Sequence, residues 1–227
     1  MFSLKSYSLC TFVTCGALIT PSAHAKVLDS VETNLAKART CLEAERYQEA
    51  QAYAELTLLP RIVTYSANND LLGIARASLK TWEDALGGQV SFVECPWYDA
   101  SLKFDFRPKL SFYGRDVLGL ATTRRAVQNW CGDFRTVLTG SIEVSTFLPN
   151  GDSASYVVML STAVHEVGHF LGLDDTAHRG SLMGPISTQK PTLAPQASEL
   201  AALTSVRQQA GMVALFAELQ GTGLISQ

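Results

Sequence analysis

Apolar residues recur at three- and four-residue steps through Leu28, Val31, Leu35, Ala38 and Leu42, the period of a helix that buries one face. A second run, Tyr47 to Leu59, is rich in the helix formers Ala, Glu, Gln and Leu, and Pro60 ends it. Residues 27–58 are therefore predicted to form a helical hairpin. The pattern has a faint likeness to one tetratricopeptide-type helix pair, but no second copy follows. Beyond Pro60 the period changes. Arg61 to Ser66 reads as a short strand. Asn68-Asn69-Asp70 is expected to cap a helix running to about Ala85, with Leu71, Leu72, Ala75, Leu79 and Trp82 on one face, and Gly87-Gly88 stops it. Val90 to Glu94 and Leu102 to Phe106 alternate as strands do. Residues 117–123 and 136–146 also suit strands, although Gly119 weakens the first. Asn150-Gly151-Asp152 is a turn, Ser153 to Leu171 is helical, and a loop rich in Gly and Pro precedes a last helix from about Gln196 to Leu219. Strands and helices mixed in this way predict an α+β or α/β domain.

The chain has 227 residues, 47% of them hydrophobic, enough for a sizeable core. Its formal net charge is −3, and no basic run or basic-aromatic stripe appears, so nucleic-acid binding has no electrostatic footprint. Residues 1–25 read as an export signal: Lys5, an apolar run from Leu9 to Ile19, then Ala23-His24-Ala25 as the small-x-small cleavage pattern. That run is too short to span a bilayer comfortably, and no other segment is apolar enough, so no stable membrane insertion is expected after cleavage. The expected location is extracellular or periplasmic. Of five cysteines, Cys41, Cys95 and Cys131 would remain, an odd number in a compartment that permits disulfides. Sequence alone does not fix their pairing. Cys95 with Cys131 is the expected pair, since both fall within the region that carries the chemistry.

That chemistry centres on His165-Glu166-Val167-Gly168-His169. On a helix, residues four apart lie one turn above each other, so two imidazoles can grip one zinc ion while Glu166 reaches the water beside it. Two such histidines also arise by accident as surface side chains. Here the sequence continues Phe170-Leu171-Gly172-Leu173-Asp174-Asp175, and Gly172 lets the chain leave the helix sharply. Met183 follows within Ser181-Leu182-Met183-Gly184-Pro185.

His165 to Asp175 followed by Met183 resembles the metzincin signature, H-E-x-x-H-x-x-G-x-x-H/D plus a Met-turn. The spacing, with Gly172-Leu173-Asp174 before the third ligand position, is most similar to the matrixins. Most matrixins have His where this chain has Asp175, and Asp there resembles the snapalysin-type metzincins. Looser likeness covers roughly residues 60–210: the strand at 61–66, the helix with Trp82, Leu118-Gly119-Leu120-Ala121, and the helix after Pro191-Thr192-Leu193. The resemblance implies an α+β catalytic domain over 60–227, with a twisted mixed sheet, an active-site helix and a C-terminal helix. A helical segment at 26–59, a pro-region or a packing hairpin, precedes it.

The resemblance also implies a single catalytic Zn2+ held by His165, His169 and Asp175, with Glu166 as general base and Met183 as an apolar floor. His178 is the competing third ligand, and Asp174 is read as a capping or orienting group. The substrate would be a protein or peptide lying along the strand of Leu118, Gly119, Leu120 and Ala121, with a pocket walled by Pro185 and Ile186. A monomer is expected. With so few histidines there is no second, histidine-built zinc site; calcium or a disulfide is left for that work, and no residue pattern supports calcium. Matrixins also use a Pro-Arg-Cys-Gly segment to hold themselves latent; Arg39-Thr40-Cys41-Leu42 lacks its Pro and Gly. The competing readings are a non-catalytic zinc-binding or partner-binding protein on a metzincin frame, and a partner-binding role for the hairpin. No motif supports hydrolysis of non-peptide bonds.

Overall fold

A computed structural model of the chain describes residues 26–27, 30–58, 60–68, 71–131 and 133–222. The export signal at 1–25 and the proposed helix-capping residues Asn69 and Asp70 lie outside them.

The fold is α+β. Its elements run β1 (Lys26–Val27), α1 (Val31–Glu43), α2 (Tyr47–Leu58), β2 (Ile62–Ala67), α3 (Leu72–Ala85), β3 (Ser91–Glu94), β4 (Leu102–Arg107), β5 (Leu110–Phe112), β6 (Arg115–Val117), β7 (Gly119–Trp130), β8 (Asp133–Ser145), α4 (Tyr156–Leu171) and α5 (Ala197–Gly221). The main sheet has the order β1-β7-β8-β4-β2-β3 and is mixed. β2 pairs parallel with β3 and β4, and β4 parallel with β8. Within this sheet only the β7–β8 pairing is antiparallel. Two residues of β1 lie parallel along the outer side of β7, at Thr122 and Thr123.

Period-two burial places Val63 and Tyr65 of β2, Leu102, Phe104 and Phe106 of β4, and Ile142 and Val144 of β8 in one core with α3 and α4. Trp82 of α3 is completely buried there, and its indole Nε1 donates to the carbonyl of Val164 in α4 at 2.8 Å. Gly140 of β8 makes room for Phe170: a β-carbon there would fall 2.7 Å from the ring.

Several expectations are revised. Asn68 does not cap α3. Its side chain bonds Asp105 instead, and α3 begins after Leu71 with no side-chain cap. The strands expected at 117–123 and 136–146 are parts of one longer ribbon, paired from Gly119↔Val144 to Trp130↔Asp133. A small hairpin, β5 with β6, turns through Tyr113 and Gly114, both at positive φ (49° and 75°). Cys41, Cys95 and Cys131 are all free, so the expected Cys95–Cys131 disulfide is not formed. No helix among the described residues is long and apolar enough to cross a membrane.

The helical hairpin exists and has a definite partner. Leu35 and Ala38 of α1 and Ala54 of α2 bury against Ala210 and Val213 of α5. Cys41 and Ala50 bury against Ala217. α5 thus gives Ala210, Val213 and Ala217 to the hairpin, and α1, α2 and α5 share a core. A chain begun at Arg61 would expose that side of α5. We expect it to lose the cooperative unfolding transition of the longer chain in urea. An equally sharp transition at the same midpoint would show that the hairpin is dispensable.

Candidate metal centre

α4 starts at Ser155, whose side chain accepts from Val158 N, and it buries every residue from Ser161 to Leu171. A helix apolar on most sides belongs in a core, so polar groups on it must be accounted for one by one. Ser161 and Thr162 are satisfied: Ser161 Oγ donates to Thr192 O at 2.8 Å, and Thr162 Oγ1 to Val158 O at 2.9 Å. The remaining three are His165, Glu166 and His169, each 2% exposed or less.

The helix ends at Gly172, with φ of 109°. Gly172 N donates to His169 O, and Leu173 N reaches back to Gly168 O at 3.0 Å, which is the Schellman closure. Arg125 of β7 lies buried below this end and donates Nη2 to Phe170 O, a cation satisfying a carbonyl at the negative end of the helix. Burial lowers its guanidinium to about 10.

Past the turn, Asp175 Oδ1 stands 3.2 Å from His165 Nε2 and 3.3 Å from His169 Nε2. The three ligand-capable atoms all lie within 4.8 Å of one another. The other ring nitrogens are committed. His165 Nδ1 lies 2.7 Å from Leu182 O, and His169 Nδ1 lies 2.8 Å from Leu173 O. A carbonyl can only accept, so each Nδ1 carries a proton, and each Nε2 is left as the atom turned to Asp175, able to bind a metal once it carries no proton of its own. Both Nε2 atoms are buried, and both face Asp175 Oδ1. Two imidazole nitrogens and a carboxylate oxygen facing one point form a donor set that fits zinc.

Charge follows the same geometry. Burial alone would lower His169, but Asp175 and Glu166 more than offset it and hold the imidazole up at about 9. For Asp175, burial works to raise the carboxyl, and the two imidazoles overcome it and hold it well below the usual range. Asp175 thus attracts whatever cation lies beside the two rings, proton or metal. Glu166 is fully buried, and neither of its oxygens makes a hydrogen bond of good geometry. Burial pushes its carboxyl up, with His165 and His169 partly counteracting.

His178 is not part of this group. Its side chain is exposed, and it contributes its backbone carbonyl, which accepts from Ser181 Oγ at 2.8 Å. Asp174 is exposed as well. Met183 is completely buried under α4: a β-carbon at Gly168 would overlap its Sδ. Thr176 N donates to Met183 O at 2.8 Å, tying the loop after Asp175 to this turn.

Two contributions were not evident from sequence. Glu199 of α5, 6% exposed, accepts from Met183 N at 2.7 Å and Gln196 N at 2.6 Å, so the C-terminal helix holds the segment whose Leu182 carbonyl orients His165. The signal was a capping box with an uncommon Gln at its head. The other is Gly119. A β-carbon there would overlap Glu166 Oε1 and fall 2.6 Å from Thr162 Cγ2. The glycine that weakened a predicted strand is the one that admits the Glu166 carboxylate. Leu118 and Ala121 are buried, and the β7 edge beside Gly119 to Ala121 precedes the stretch covered by β1.

A family model described as Matrixin matches residues 57–205, more than half of the chain. No curated protein matches it.

The close approach at Gly119 can be tested without any activity. Gly119→Ala is expected to destabilise the chain by about 1–3 kcal/mol through overpacking. Gly73→Ala, in a helix with nothing within 4 Å of the new methyl, should stabilise by roughly 0.5–1 kcal/mol. Urea denaturation reads both, and equal effects would contradict the assigned contact.

Proposed function

The chain belongs to the matrixin family, whose members are zinc-dependent peptidases, and on that premise we propose that it is an exported zinc endopeptidase. In this reading His165, His169 and Asp175 hold the metal and Glu166 is the general base. The observation that carries it is the buried pair of imidazole Nε2 atoms converging on one carboxylate oxygen. Beside it lies the fully buried carboxylate of Glu166, whose nearest polar support is the backbone of Ala121. Such a set is costly to bury for the fold alone.

Bound zinc would supply a Lewis acid that polarises the peptide carbonyl and acidifies water. Glu166 takes a proton from the attacking water and delivers it to the leaving amine as the carbon–nitrogen bond breaks. No other side chain hydrogen-bonds its oxygens; the backbone of Ala121 lies beside them and partly counters the rise that burial gives the carboxyl, and the missing side chain of Gly119 leaves room for Oε1. An extended peptide pairs with the β7 edge at Leu118, Gly119, Leu120 and Ala121, where backbone pairing gives affinity and pockets give specificity. Ile186 packs with Leu118, Ala154 and Val158 at the start of that edge, which suits it to wall a side-chain pocket together with Pro185.

Export rests on Lys5, the apolar run to Ile19 and the Ala23-His24-Ala25 pattern. We read residues 26–59 as a packing hairpin rather than a thiolate latch. Cys41 is 3% exposed against Ala50 and Ala217. Burial, then Glu49, pushes its thiol up, which disfavours the thiolate a metal would need.

Two experiments test the assignment. Glu166→Gln should retain zinc and fold while losing at least about two orders of magnitude in turnover of a general peptide library. Near-normal hydrolysis would end the general-base role. Separately, metal analysis after dialysis should find zinc sharply reduced in Asp175→Ala and retained in His178→Ala. The reverse result would make His178 the third ligand.

A further inference from the structure

The α1–α2 hairpin falls almost wholly outside the residues matched to the family, yet one of its side chains abuts the turn that brings Asp175 to the histidines. Val31, the first residue of α1, is 6% exposed. A β-carbon at Gly172 would overlap Val31 Cγ2 and fall 3.2 Å from Val31 Cβ. The backbone of Gly172 therefore sits directly against the valine. One residue on is Leu173, whose carbonyl accepts from His169 Nδ1, and three residues on is Asp175.

Val31 is itself firmly held. Ser30 Oγ caps its helix by accepting from Thr33 N at 3.0 Å. Its carbonyl accepts from Thr57 Oγ1 of α2 at 3.4 Å. One turn later Leu35 anchors α1 on α5. A β-branched side chain in a helix has essentially one rotamer, so Val31 is a stiff wedge.

The turn has little else on that side. A cavity of about 280 Å³ runs past Val31, Glu32, Leu173, Asp174 and Met183. Asp174 and Thr176 are exposed. Close packing normally fixes a backbone, and here the neighbouring space leaves the turn room to shift.

We propose that Val31 is a positioning residue for the metal centre, pressing on Gly172 so that the Leu173 carbonyl and Asp175 keep their places. The hairpin is then a permanent brace of the site, not a leader to be removed. This rests on the zinc reading above. Groups that orient metal ligands are worth about 10- to 100-fold in affinity, and a brace one step further out belongs at the lower end.

The test measures zinc dissociation constants by chelator competition on the chain from Lys26 onward, with circular dichroism showing each variant folded. Val31→Ala should weaken zinc binding by about tenfold. Val31→Thr, which keeps the shape, should bind as the unaltered chain does. Leu35→Ala removes comparable packing from the same helix without touching Gly172, so it should lower the melting temperature and leave the affinity unchanged. Val31→Ile adds a methylene against Gly172 and should also weaken binding, which keeps the direction readable even where the alanine variant does not fold. Unchanged affinity in the alanine and isoleucine variants, or an equal loss in Leu35→Ala, would overturn the brace while leaving the zinc reading intact. No zinc uptake by the unaltered chain would overturn both.

Discussion

The cluster of His165, His169 and Asp175 depends on α4 stopping within one residue. The two histidines sit on the last two turns of that helix, and the third donor lies only six residues beyond the second of them. A chain that left the helix gradually would carry Asp175 away from both rings. Gly172 supplies the abrupt exit through a left-handed conformation that costs other residues of order 1 kcal/mol or more. Three neighbours then hold the exit: the Schellman bonds to Gly168 and His169, Arg125 beneath the Phe170 carbonyl, and Val31 against the glycine itself. The same turn delivers the Leu173 carbonyl that sets the tautomer of His169. One backbone choice thus places two donors.

Around this turn the fold accepts a concentration of buried polar groups that a core would ordinarily exclude. His165, Glu166 and His169 lie among Val164, Val167, Phe170 and Met183, all completely buried. Backbone carbonyls offset part of that cost, one for each imidazole. The Nε2 atoms turn to Asp175, and Glu166 rests beside the backbone of Ala121. Three ionisable side chains gathered in one apolar interior mark a place where the structure is arranged for something other than its own stability.

The site was legible in sequence because its spacing is local. His165 and His169 are four apart on a helix, and Gly172 follows at the helix end, so their juxtaposition requires no tertiary knowledge. The long ribbon was less legible. Its outer half carries Arg124, Gln128, Asn129 and Arg135, which break the apolar alternation because that part of the ribbon faces solvent. Gly119 read as a defect because strand propensity says nothing about a carboxylate approaching from another element. The hairpin helices were legible singly, but not their partner. α5 buries Leu203, Ala210, Val213 and Ala217 yet exposes Met212, Leu215 and Phe216, so no single apolar stripe announces its buried side. Asn68 looked like a cap by residue type, but its side chain is taken by β4: Nδ2 donates to Asp105 and Oδ1 accepts from Phe106 N.

The two residues of β1 lie where the β7 edge would otherwise remain open. An unpaired edge strand is a template on which another chain can polymerise, and proteins commonly blunt such edges with charge, bulges or cover. Among the described residues β1 covers Thr122 and Thr123, and further out the edge carries Arg124, Gln128 and Asn129, all exposed. Cover at one point and charged or polar side chains beyond it interrupt the flat apolar ladder that two folded copies would need to zip together, so fibrous self-assembly along this edge is discouraged without closing the whole strand.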